Sequence, residues 1–144
     1  MIDMPGEEEF REKLLTYRYL EARLESIAAQ KNILMNKISE ITATLNSIEE
    51  LVKNDNILFP IGSEAFVPGK ILEKNKVIVE IGANVALEKD IDNAKIILEK
   101  RKKEIERTNS ELEVEIVQIS NSLRKLAPEI QELASSSQDM SQAG

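Results

Sequence analysis

Neither histidine nor cysteine occurs in this 144-residue chain, so the commonest general base and the commonest transition-metal ligand are both missing. Thiolate chemistry and disulfides are missing too, which permits a reducing compartment. Carboxylates are plentiful. The run Glu7, Glu8 and Glu9, however, sits where a helix begins and is read as a solvated complement to the positive end of the helix dipole, not as a catalytic acid–base pair. The cluster Lys100, Arg101, Lys102 and Lys103 is followed by Glu104 and Glu106, a spacing that suits i,i+4 pairing on a helix better than a phosphate site. No P-loop, glycine-rich phosphate cradle or nucleophile–base pair is present. Catalysis, a metal and a cofactor are therefore not expected. The net charge of -7 disfavours nucleic acid, which needs a basic surface to displace counterions.

What remains is apolar adhesion, and here the spacing is informative. Phe10, Tyr17, Leu24, Ile38, Leu45 and Val52 fall in one heptad register, interleaved with Leu20, Ile27, Leu34, Ile41 and Ile48. A second seam runs through Ile91, Leu98, Ile105, Leu112, Ile119, Leu126 and Leu133. Two such a/d seams predict two helices that pack as an antiparallel coiled-coil hairpin, with residue i opposite roughly residue 143 minus i. Aromatic residues are only 3% of the chain, so a deep ligand pocket is not expected. The apolar residues form stripes and not one compact core.

Segment 1–9 is expected to form an N-terminal tip, 10–56 the first helix, 57–89 a β-rich insert, 90–134 the returning helix and 135–144 a flexible tail. The first helix should start after Pro5-Gly6 and stop at Asn54-Asp55-Asn56; Asp90 is a good N-cap for the second. In the insert, four strands are predicted over Ile57–Phe59, Ala65–Leu72, Lys76–Ile81 and Asn84–Glu88, with turns at Gly62-Ser63, Lys74-Asn75 and Gly82-Ala83. Lys31 and Asn109 interrupt the proximal seam; such residues either fix register or, for Lys31, snorkel to water. Pro128 should kink or loosen the last turns of the second helix. The N-terminal residues do not form a signal peptide, and no apolar run is long enough to span a bilayer. The expected location is the cytoplasm.

The runs Ile57-Leu58-Phe59-Pro60-Ile61-Gly62-Ser63, Phe66-Val67-Pro68-Gly69-Lys70-Ile71, Lys76-Val77-Ile78-Val79-Glu80-Ile81-Gly82-Ala83 and Val85-Ala86-Leu87-Glu88-Lys89-Asp90 resemble the alpha-class prefoldin subunit, in its archaeal form. The resemblance covers the whole helix, two hairpins, helix layout, and the insert is its specific part, because heptads match any coiled coil. It implies an α+β fold in which a long two-helix hairpin carries a two-β-hairpin insert that joins an intersubunit β-barrel. It further implies a hexamer of two alpha-class and four beta-class chains. Such a hexamer captures non-native proteins at its coiled-coil tips without ATP and delivers them to a group II chaperonin.

Two sets of residues follow. Ile57, Phe59, Phe66, Val67, Val77, Val79, Ile81, Val85 and Leu87 are expected to bury surface between subunits, since the helices run away from the sheet and leave it uncovered. The alternative is a small sheet packed on its own helices. At the far end Met4, Phe10, Leu14 and Leu15 are expected to meet Leu126, Ile130, Leu133 and Met140. There they supply more apolar groups than the seam uses, suited to compliant contact with unfolded clients. The alternatives are ordinary end packing of the coiled coil, and a structural tether or filament subunit whose arms only set spacing.

Overall fold

The computed structural model describes the backbone of residues 6–142 and the side chains of residues 6–136. Six elements follow in order: α1 (Glu7–Lys53), β1 (Ile57–Gly62), β2 (Ala65–Gly69), β3 (Val77–Gly82), β4 (Val85–Lys89) and α2 (Ile91–Gln142). The chain divides into two compact units, Met1–Ile33 with Thr108–Gly144, and Leu34–Arg107. Both helices contribute to each.

α1 forms because no Gly or Pro interrupts the chain from Phe10 to Lys53 and Glu7, Glu8 and Glu9 occupy its first turn, where the dipole favours carboxylates. The Gly6 carbonyl accepts the Phe10 N–H at 2.9 Å. α2 starts as its sequence predicts. The Asp90 carboxylate accepts the Asn93 N–H at 2.7 Å, and the Asp90 carbonyl accepts the Ala94 N–H at 2.9 Å, which satisfies donors that a helix N-terminus otherwise leaves bare.

In the unit of 1–33 with 108–144, Ile27, Leu112 and Ile119 are the buried apolar residues among those described. Ion pairs flank them: Lys13 with Glu129 at 3.0 Å, Arg23 with Glu115 at 2.9 Å, and Lys31 with Glu113. The Lys13 and Lys31 pairs lie within about one position of the antiparallel register expected from the seams. Lys31 is half-buried and its ammonium reaches the Glu113 carboxylate, as expected of a lysine that snorkels out of a seam.

In the unit of Leu34–Arg107, Ile41, Ile48 and Leu98 form the buried cluster, and Leu45, Ile91 and Ile105 pack against it. Ala94 is fully buried, a small residue that the apolar-stripe reading passed over. The insert makes two separate antiparallel hairpins, β1–β2 and β3–β4. Each turns on a two-residue loop with both residues left-handed, Ser63 and Glu64 in one, Ala83 and Asn84 in the other, each preceded by a glycine of positive φ, Gly62 or Gly82. Mirror-image turns of this kind match the twist of paired strands.

Several boundaries differ from expectation: β1 runs on past Phe59 to Gly62, and the two hairpin turns fall one residue later, on Ser63–Glu64 and Ala83–Asn84. β2 ends at Gly69 and does not continue to Leu72, because its partner runs out: Ile57, the first residue of β1, already pairs with Gly69. α2 continues as helix through Ser135–Gln142, where the loss of apolar period had placed a tail. Ser, Gln, Asp and Met do not break a helix, and no glycine precedes Gly144 there. α2 also passes through Pro128 without ending.

Candidate functional site

Hairpin register sets which side chains share a face. In β1–β2, Ile57 pairs with Gly69 and Phe59 with Val67, while Leu58 pairs with Pro68 and Pro60 with Phe66. Partners across an antiparallel pair lie on the same side, so Phe59 and Val67 line one face, and Leu58 and Phe66 the other. Both faces are apolar. The Phe59 ring lies so close over Gly69 that a Cβ there would stand 2.7 Å from it, and only glycine leaves room for this packing. In β3–β4, Val79 pairs with Leu87 on one face, and Ile78 with Glu88 and Glu80 with Ala86 on the other.

The nine insert residues expected to bind neighbours divide by exposure. Phe59, Phe66, Val67, Ile81, Val85 and Leu87 are exposed, whereas Ile57 and Val77 are half-buried. Val79 is only 6% exposed; it is spent on the chain's own packing and has little surface left for a neighbour. Arg101 ties this strand to α2 by donating from Nη2 to the Glu80 carbonyl. Leu58, Ile61, Ile78 and Leu72 are exposed as well, Leu72 at 98%. They were not among the expected nine, yet the unbroken apolar run Ile57-Leu58-Phe59-Pro60-Ile61 carried the signal of a strand apolar on both faces. So much apolar surface on strand pairs that are open at both edges is unstable in water without a cover.

The second set lies on α1 and α2. Phe10, Leu14, Leu126, Ile130 and Leu133 are half-buried, and Leu15 is 65% exposed. Met4 lies outside the described residues, as does the side chain of Met140. The structure brings the two helix ends together: a Cβ at Gly6 would meet Leu133 Cδ2 at 3.6 Å, and Lys13 bonds both Glu129 and, at 3.2 Å, Glu9. The hydrogen bonds that Lys13 donates to these carboxylates, Glu129 first, raise its pKa, which strengthens its hold on the proton in the cross-helix tie. Burial, by contrast, fades. Among the described residues none is buried on α1 before Ile27 or on α2 after Ile119.

The sequence matches the family model described as prefoldin subunit over residues 20–136. It is 26% identical to the prefoldin subunit alpha of Methanobrevibacter smithii over 98% of this chain and 99% of that one. It is 37% identical to that of Nitrosopumilus maritimus over 70% of this chain and 71% of that one, and 30% identical to that of Pyrococcus horikoshii over 81% and 82%. Among solved structures, filamentous PFD from Methanocaldococcus jannaschii superposes with a TM-score of 0.67 at 25% identity, covering 78% of this chain and 95% of that one. With a model match over most of the chain, alpha-subunit relatives along nearly its full length and the same helix, hairpins, helix order, the chain belongs to the prefoldin subunit family.

Proposed function

We propose that this chain is the alpha-class subunit of an ATP-independent holdase. In this reading two copies join four beta-class subunits through their hairpins, the arm tips capture non-native proteins in the cytoplasm, and the load passes to a group II chaperonin. No catalytic step is involved. The observation that carries the reading is the fading of burial along the arms: the seam is sealed at Ile27, Leu112 and Ile119 and unsealed beyond them, so Phe10, Leu14, Leu15, Leu126, Ile130 and Leu133 keep apolar surface available. Contacts of this kind are non-directional and follow apolar area, which suits clients that share no sequence. The exposed faces of the two hairpins support the assembly half of the reading.

The test is removal of the residues beyond Ala127. The truncated chain should still assemble with a beta-class partner in native mass spectrometry and should lose suppression of client aggregation. A truncated assembly that holds clients as well as the full one does would defeat the proposal. A second reading is favoured by one observation, that the similar solved structure is a filament: a subunit that polymerises through its β platform and uses its arms as spacers. It predicts that the chain alone forms long polymers, and that trimming the tips changes nothing.

A further inference from the structure

The run Lys100, Arg101, Lys102 and Lys103 is the longest block of cations in a chain whose net charge is -7. The structure divides it. Arg101 donates from Nη2 to the Glu80 carbonyl, and Lys102 lies 4.0 Å from Glu106, so these two are spent within the chain. Lys100 and Lys103 are exposed and have no ion-pair partner among the described residues, although Glu104 and Glu99 stand four positions from them on the same helix.

The two unspent lysines surround an apolar group. Positions i, i+4 and i+7 share one face of a helix, so Lys100 and Lys103 stand beside Ile96, which is 63% exposed and lies outside the seam of Ile91, Leu98 and Ile105. Lys95, Ile96, Glu99, Lys100 and Lys103 line an open depression of about 440 Å³. Lys95 is partly engaged already, with Glu49 of α1 at 3.7 Å. All five residues belong to α2 and to the unit of Leu34–Arg107, whereas the apolar residues of the arm tips belong to the other unit.

Such a face states the chemistry of its partner. A bare isoleucine gains by losing water, and the lysines beside it must then meet carboxylates, or they are desolvated without compensation. Nucleic acid is the poorer match, because it is held by many phosphate contacts and here a few cations are interleaved with Glu99 in an acidic chain. We propose that this face of α2 docks an acidic helix of another protein, one that sets a leucine or isoleucine on Ile96 and carboxylates against Lys100 and Lys103. Lys95 adds attraction at the rim, and Glu99 opposes the same partner. The inference is independent of client capture and of assembly through the hairpins.

The probe is a fluorescein-labelled helical peptide of about 16 residues with one leucine flanked by glutamates three and four positions away, titrated with the full chain and read by anisotropy. The peptide should bind the parent, and raising the salt from about 0.05 M to about 0.5 M should weaken it several-fold. Lys100→Glu with Lys103→Glu should weaken binding at least about tenfold, and Ile96→Asp should do the same; Glu99→Gln should tighten it. All these positions are exposed, so each variant should keep the helical circular dichroism of the parent, and the milder pair Lys100→Gln with Lys103→Gln should give an intermediate loss. Peptides with Gln for Glu, or Ala for the leucine, should bind weakly. The proposal is overturned by a parent chain that ignores the peptide, by charge-reversed or Ile96→Asp chains that bind it as tightly as the parent does, or by a single-stranded oligothymidylate of similar length that binds better than the peptide. A parent chain that ignores the peptide and yet, with a beta-class partner, suppresses client aggregation overturns this inference alone and leaves the proposed function standing.

Discussion

Asn109 carries a buried Oδ1 with no hydrogen-bond partner. A buried acceptor left unsatisfied costs about 1–3 kcal/mol, and a polar residue on a coiled-coil seam is tolerated at a cost in stability. Asn109→Leu should accordingly raise unfolding free energy by about 1–3 kcal/mol in urea denaturation; a lower midpoint at unchanged slope would contradict the account. Asp55 offers a test by pH. Its hydrogen bond to Lys74, which links the end of α1 to the loop between the hairpins, holds its carboxyl below the ordinary value of 3.8. A depressed folded pKa stabilises fully above the unfolded value and is lost as pH falls through the folded one. Acidification below the ordinary carboxylate range should therefore speed amide exchange in Glu73–Lys76, and Asp55→Asn should show that faster exchange already at neutral pH. The Lys13 pKa is shifted the other way, above its ordinary 10.5, so the stability this lysine contributes is present at neutral pH and is lost only as pH rises through its folded value.

At the scale of elements, α2 continues as helix past a proline that most helices would exclude. Pro128 has no N–H for the Arg124 carbonyl and crowds the preceding turn, a defect worth about 3 kcal/mol in a helix interior. Pro128→Ala should recover part of this, up to about 3 kcal/mol in chemical denaturation, and by stiffening the tip it should weaken client capture in an aggregation assay. Both helices and both hairpins were legible in the sequence because each has a local cause: an apolar period of seven, a capping Asp90, glycines before two-residue turns. The end of β2 was not, since it depends on where β1 stops. Val79 was taken for a contact residue because alternation tells which face it shares with Leu87, not that this face turns inward at β3. The end of α2 escaped for a related reason: apolar spacing marks where a helix is packed and says nothing of where the backbone stops being helical.

For the whole molecule, the proposed function requires that two surfaces of different strength act together. Each tip offers a few half-buried side chains and one exposed leucine, too little apolar area for tight binding by one arm. In the proposed assembly, joining several arms on one platform would convert each further contact into an intramolecular event and raise retention by about 10²–10⁴ when one client spans the tips. The consequence is that platform residues that touch no client should control capture. Leu58, Phe66 and Ile78 are exposed in the single chain, so replacing all three with Asp spares its own core and puts carboxylates where neighbours must pack. The triple variant should retain the helical circular dichroism of the parent and fail to assemble with a beta-class subunit. Its apparent affinity for an unfolded, fluorescently labelled client should fall by about 10²–10⁴, although every tip residue is intact. Undiminished client binding by a chain that remains single would mean that one arm suffices, and would remove the reason for carrying the tips on a shared base.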